Sequence, residues 1–158
     1  MATEHKSFHL RRKDKEVTDP KEIERIISEG RTCHLAMVDN GKPYVVPVTF
    51  GYDGRALYFH SALEGRKVET LKKNPHVCFN IVASAQSVEQ PPDCTTKYRS
   101  VTGYGNATLL TDVEEKIAGI KVVMRHSLGH EVDFPVKGMA RTLVFRIDIE
   151  ELKGKQSV

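Results

Sequence analysis

Residues 33–60 run Cys33-His34-Leu35-Ala36-Met37-Val38, Asp39-Asn40-Gly41-Lys42, Tyr44-Val45-Val46-Pro47-Val48-Thr49-Phe50-Gly51-Tyr52, Asp53-Gly54 and Ala56-Leu57-Tyr58-Phe59-His60. Three runs rich in β-formers are separated by two tight-turn signals, where Asn, Asp and Gly tolerate positive φ. Pro47 has no N–H to give a ladder, so the second run is an edge strand or uses Pro47 where that N–H is not needed. Three strands joined this way predict an antiparallel meander.

Upstream, Asp19 is placed to cap a helix, Pro20 stands at its first position and Glu22 at the capping-box position. Ile23, Ile26 and Ile27 share one face, and Gly30 closes the helix. Downstream, a short helix from about Gly65 to Lys73 is stopped by Asn74-Pro75. Val77 to Val82 reads as a fourth strand. Residues 83–96, with Gln86, Ser87, Gln90, Pro91, Pro92 and Asp93, read as a loop, and Tyr98 to Leu110 as a long strand. Asp112 caps a second long helix striped by Ile117, Ile120 and Met124. Residues 127–139, with Gly129, Pro135 and Gly138, read as a second loop. Leu143, Phe145, Ile147 and Ile149 alternate with Val144, Arg146, Asp148 and Glu150 in a half-buried final strand that stops soon after. The expectation is a mainly β protein: a six-stranded antiparallel closed or split barrel with flanking helices. No βαβαβ series supports a parallel doubly wound sheet.

The chain has 158 residues, 39% of them hydrophobic, which suits one core. Residues 1–10 are expected to be a flexible arm and 11–158 a single domain. The charge run Arg11-Arg12-Lys13-Asp14-Lys15 extends the character of a solvated tail to residue 17, with a phosphate or nucleic-acid contact as the alternative. Lys and Arg total 24 against 21 Asp and Glu, a net charge of +3 that gives no electrostatic reason for a nucleic-acid partner. No apolar run approaches the ~20 residues of a membrane span. Met1 to Lys6 leads into no apolar stretch, so secretion is not expected. Cys33, Cys78 and Cys94 lack CxxC spacing and are expected to be reduced thiols in a cytoplasmic protein.

Gly103-Tyr104-Gly105-Asn106-Ala107-Thr108 begins like a dinucleotide fingerprint, but Thr108 replaces the third glycine and the segment lies within a strand. Its glycines mark a bulge, or a place where a flat ligand nears the backbone. His126 and His130 have i, i+4 spacing. Gly129 between them ends the helix, so they read as a surface loop rather than a zinc site. The informative stretch is Leu57-Tyr58-Phe59-His60-Ser61-Ala62-Leu63-Glu64-Gly65-Arg66-Lys67. A strand end, a loop of small residues and a helix start with two adjacent cations form a candidate phosphate cradle. The alternative is that Arg66 and Lys67 are ordinary surface cations.

This stretch, followed by Leu71-Lys72-Lys73-Asn74-Pro75-His76-Val77-Cys78-Phe79, resembles the FMN-phosphate segment of the pyridoxamine 5′-phosphate oxidase-like split-barrel flavoproteins. More narrowly, Arg11 to Glu16, Lys97-Tyr98-Arg99-Ser100-Val101-Thr102-Gly103-Tyr104-Gly105 and Gly154-Lys155-Gln156 resemble the nitroimidazole-resistance branch. The resemblance implies a homodimer with FMN at the subunit interface. It matches Arg66 and Lys67 to the phosphate-holding pair, His60 and Ser61 to the strand end beside it, and Val48, Thr49 and Phe50, after Pro47, to the strand whose backbone lines the flavin. Ser100 falls where the oxidases proper carry a glutamine to the flavin. Their C-terminal arginine and histidine that grip pyridoxal phosphate have no match. The implied activity is FMN-dependent reduction of a nitro-aromatic or similar small electrophile, with an NAD(P)H-type donor. His60 is the candidate proton donor, its alternative being a structural or phosphate contact. The other readings are a pyridoxamine 5′-phosphate oxidase-type enzyme and a flavin or haem carrier without turnover. The partner's wall of the site is expected from loop 127–139, through Phe134-Pro135.

Overall fold

The computed structural model describes residues 7–133 and 135–158. Eight strands form one antiparallel sheet: β1 (Glu16–Val17), β2 (Cys33–Asp39), β3 (Lys42–Val48), β4 (Phe50–Tyr52), β5 (Ala56–Ser61), β6 (His76–Gln90), β7 (Asp93–Leu109) and β8 (Leu143–Ser157). The helices are α1 (Pro20–Glu29), α2 (Arg66–Lys73) and α3 (Val113–Leu128). The strand order is β3-β2-β6-β7-β8-β5-β4, with β1 beside β8. The two ends of this path, β3 and β4, are separated in the chain by Thr49 alone. The sheet must therefore curl until its ends meet, which makes the barrel.

The expected six strands become eight for two reasons. The run Tyr44–Tyr52 breaks at Thr49, where the chain leaves one edge of the sheet for the other. Glu16-Val17, placed in the arm by their charged neighbours, pair with Lys155 and Gly154. The expected loop 83–96 is also a correction: β6 and β7 continue as a hairpin paired from Ser84–Arg99 to Gln90–Asp93, turning at Pro91-Pro92. Its faces carry mostly Ser, Thr, Gln and Lys, so no apolar alternation announces it, and backbone pairing alone builds it. The final strand likewise runs on past Glu150 to Ser157, because β7 supplies partners along its whole length. Pro47 lies on the edge strand β3, opposite His34, as its missing N–H requires.

Core side chains alternate inward. Phe50, Phe59, Phe79, Phe145, Leu35, Leu57, Ile81 and Ile147 are buried, and Phe59 stacks on Phe145 with centroids 5.1 Å apart. The Gly103-x-Gly105 pair straddles a register shift in the β7–β8 ladder. A Cβ on Gly103 would lie 2.3 Å from the Phe79 ring and 2.6 Å from the Glu151 carbonyl. The barrel's own atoms, rather than a ligand, occupy that space.

Asp19 caps α1 by accepting from the Lys21 N–H, and Pro20 opens the helix. Glu22 turns instead to Arg99 on β7, which also binds Glu29, so α1 is clamped across the barrel by one arginine and two carboxylates. Asp112 caps α3, and Gly129 ends it in the left-handed region. His126 lies in the last turn of α3 rather than in a loop. Its Nε2 is 2.7 Å from the Gly30 carbonyl, and its ring centroid is 4.3 Å from that of Phe50. Among the described residues no cluster of His, Cys, Asp and Glu could hold a metal ion. Nor is any helix long and apolar enough to cross a membrane.

Candidate functional site

Strand β5 ends at His60 and Ser61, Ala62 to Gly65 turn, and α2 begins at Arg66. Gly65 makes the turn at φ +129°, a conformation that side-chain-bearing residues rarely adopt, with open space where a Cβ would be. The first bond of α2 runs from the Glu69 N–H to the Gly65 carbonyl at 3.0 Å. The earlier N–H groups of that turn therefore point out of the helix end without an intrahelical acceptor. β4 pairs with β5 through Phe50–Phe59. Thr49, the link between β3 and β4, precedes Phe50 of that pair, and His60 follows Phe59. One corner thus gathers the β3–β4 link, the end of β5 and the start of α2.

The two cations of this corner are held differently. Arg66 is exposed; its Nε donates to Asp39 Oδ2 at 2.8 Å, and its guanidinium carbon lies 4.2 Å from the Tyr44 ring centroid. Asp39 and Tyr44 fix the arginine while leaving its two terminal nitrogens without a partner among the described residues, a fork aimed at two oxygens. Lys67 is half-buried, with Nζ 5.5 Å from the Phe59 ring centroid, and burial lowers its pKa. The pKa of the His60 imidazole is lowered, first by burial and then by the Lys67 charge, both of which disfavour its charged form. A group bringing two negative charges would relieve both costs.

The sequence-derived residues divide here. His60, Ser61, Arg66, Lys67 and Thr49 share the corner. Val48 and Phe50 are buried with their side chains in the core, so only their backbone is offered to a ligand. Pro47 is exposed beside them on β3. Ser100 stands apart: it pairs with Lys155 near the end of β8, whereas Ser61 pairs with Leu143 at its start. A single chain does not bring Ser100 to the corner. Phe134 lies outside the described residues; Val136–Arg141 next to it form a 3-10 turn. Asp39 and Tyr44 were legible only as turn and strand, because their partner is a distant arginine that the sequence does not couple to them.

A second feature lies on the outer face of the sheet. Val45, Ala36, Cys78 and Tyr104 form one rung across β3, β2, β6 and β7. Val45 is 60% exposed and Tyr104 43%, with Val38 and Val82 also exposed on this face. A groove of about 940 Å³ opens there between Phe8, Val38, Pro43, Cys78, Tyr104 and Leu152.

Residues 19–156 match the family described as pyridoxamine 5′-phosphate oxidase. A candidate 5-nitroimidazole antibiotic resistance protein of Bacteroides thetaiotaomicron superposes with a TM-score of 0.82 at 30% identity, covering 89% of this chain and 85% of that one. The FAD and haem binding protein of Mycobacterium smegmatis shares the fold, with a TM-score of 0.79 at 18% identity over 90% of this chain and 73% of that one. Uncharacterized protein RA0666 of Rhizobium meliloti is 30% identical over 71 residues, a match spanning 45% of this chain and 46% of that protein.

Proposed function

The chain belongs to the pyridoxamine 5′-phosphate oxidase family, and from that premise we propose that it is a cytoplasmic FMN-binding oxidoreductase that reduces nitro-aromatic, 5-nitroimidazole-like or similar small electrophiles. The corner at the start of α2 carries this reading. Its residues fit a phosphate monoester: arginine nitrogens without a partner among the described residues, a half-buried lysine, a histidine with a lowered pKa and open N–H groups lie on one short stretch, where Gly65 leaves space. Arg66 and Lys67 would hold the phosphate, with Ser61 and the first turn of α2 as further donors, and the backbone of Pro47 to Phe50 would face the ring. FMN, when bound, supplies the redox chemistry between an NAD(P)H-type donor and the electrophile. A bound phosphate dianion would raise the pKa of the His60 imidazole, which would let it hold a proton as the candidate donor. The named likeness to a nitroimidazole resistance protein supports the substrate class, and three unpaired cysteines suit a reducing compartment.

The test is the visible spectrum of the purified protein and chromatography of the cofactor released by heat. A yellow protein releasing FMN is expected, followed by NAD(P)H-dependent loss of a nitro-aromatic chromophore. A colourless protein that FMN does not reconstitute would sink the reading.

The partner in this proposal is a second copy. One barrel offers one wall to a ring with two faces, and the apolar rung of Val45, Ala36, Cys78 and Tyr104 is a surface suited to burial. If FMN binds only the dimer it favours assembly by mass action. Sedimentation at low concentration should then give tighter dimers with FMN than without; equal dissociation constants would place the site within one chain.

A further inference from the structure

β4 is three residues long, and among the described residues it pairs on one side only, through Phe50, Gly51 and Tyr52 to β5. So short an edge strand is held weakly by its own ladder. α3 supplies the rest. A Cβ on Gly51 would lie 2.5 Å from the Val122 carbonyl, so strand and helix meet backbone to backbone. Phe50, one residue earlier, is buried against the last turn of the same helix. The His126 ring lies there with its centroid 4.3 Å from that of Phe50, tilted by 44°.

His126 is held from its other side as well. A carbonyl oxygen only accepts, so the 2.7 Å contact to Gly30 places a proton on Nε2, which donates to the residue that ends α1. Gly30 is itself pressed onto the core, since a Cβ there would lie 2.2 Å from Ile81 Cγ2. One half-buried imidazole thus joins the end of α1, the end of α3 and the ring of Phe50. An apolar residue could fill the space beside Phe50 equally well. The donor adds a fixed direction, because it ties the ring to a carbonyl that the core holds still.

The consequence falls on Thr49. On one side of it β3 is fixed by the pairing of Val48 with Cys33. On the other side Phe50 is fixed by β5 and by α3. A single residue bridges these two ends, so any shift of Phe50 moves the barrel closure itself.

We propose that His126 is a positioning residue: through Gly30 and Phe50 it sets the backbone of Thr49 and Phe50, the wall assigned above to the flavin ring. The link to the ring rests on the proposed function; the positioning rests on contacts within the chain.

The test compares His126→Phe, which keeps a ring beside Phe50 but loses the donor, with His126→Gln, which keeps a donor. Amide exchange followed by NMR in the full chain as purified reads the position of β4 whether or not a flavin is bound. In His126→Phe the Gly51 amide should exchange about tenfold faster, the scale of one lost hydrogen bond. Val101, paired on both sides with Ile81 and Gly154, should keep its rate. FMN and riboflavin should both weaken, by one common factor, because the ring wall rather than the phosphate contact is disturbed. His126→Gln should recover most of the exchange protection and of both affinities. If phenylalanine overpacks the site, His126→Ala makes the same comparison. Unchanged Gly51 exchange, an acceleration shared equally by Val101, or glutamine no better than phenylalanine would overturn the proposal. So would faster Gly51 exchange with both affinities unchanged, or a loss confined to FMN. A wild-type protein that binds neither flavin would defeat the functional reading instead, and the Gly51 and Val101 rates would then decide the positioning alone.

Discussion

Arg99 and Arg66 both bind carboxylates, and they do opposite things. Arg99 is 15% exposed in its side chain and is filled by Glu22 and Glu29 of α1. Arg66 is 57% exposed, spends only Nε on Asp39, and among the described residues keeps its terminal nitrogens open beside Lys67. The first arginine closes a contact between helix and sheet; the second is held still and left unfinished. What separates the two cations is therefore what their partners leave over, and the presence of a salt bridge says little.

The largest expected difference between the two regions is in ligand binding. Each charged contact to the phosphate is worth roughly 1.5–3 kcal/mol. Arg66→Ala with Lys67→Ala should weaken FMN by two orders of magnitude or more while barely changing riboflavin, which has no phosphate; fluorescence titration of both measures this. Equal losses for the two ligands would make this pair structural, like Arg99.

Stability should show the reverse. Arg99→Ala should cost about 1–2 kcal/mol, below the full value of charged hydrogen bonds because Glu29 remains accessible to water. The melting temperature falls by a few degrees while FMN affinity holds. Glu29 is held below its ordinary pKa of 4.5, chiefly by the Arg99 hydrogen bond. Its contribution is therefore present above the unfolded pKa and is lost as pH falls through the lower folded one. Melting curves below about pH 4.5 should be steeper in pH for the wild type than for Arg99→Ala. Parallel acid limbs would break the distinction drawn here.

The smallest effect concerns His60. Its lowered pKa arises from burial and from Lys67. Lys67→Ala should move the imidazole titration upward, toward the ordinary value of about 6.5, as followed by NMR. Phosphate added to the wild type should do the same. An unmoved titration in both cases would separate His60 from the cradle.

Much of this was legible locally. Asp19-Pro20 with Gly30, Asp112 with Gly129, and the Asn40-Gly41 and Asp53-Gly54 turns are set by backbone chemistry within a few residues, and all appear where the sequence puts them. The strand end and Arg66-Lys67 pair were visible for the same reason. The polar hairpin of β6 and β7 was not, because its stability lies in pairing between backbones rather than in an apolar stripe. The β1 strand was hidden by the charges around it.

By itself the sequence determined the mainly antiparallel β class, the helix ends and the strand-turn-helix segment on which the proposed cradle rests, since turns, caps and side-chain periodicity act over short spans of chain. Only the tertiary structure decided which cations are free. Asp39 reaches Arg66 across 27 residues, Glu29 reaches Arg99 across 70, and Lys15 meets Ser157 across 142. Such pairings depend on barrel closure at Thr49 and on strand register, which the whole sheet fixes at once and no local stretch encodes.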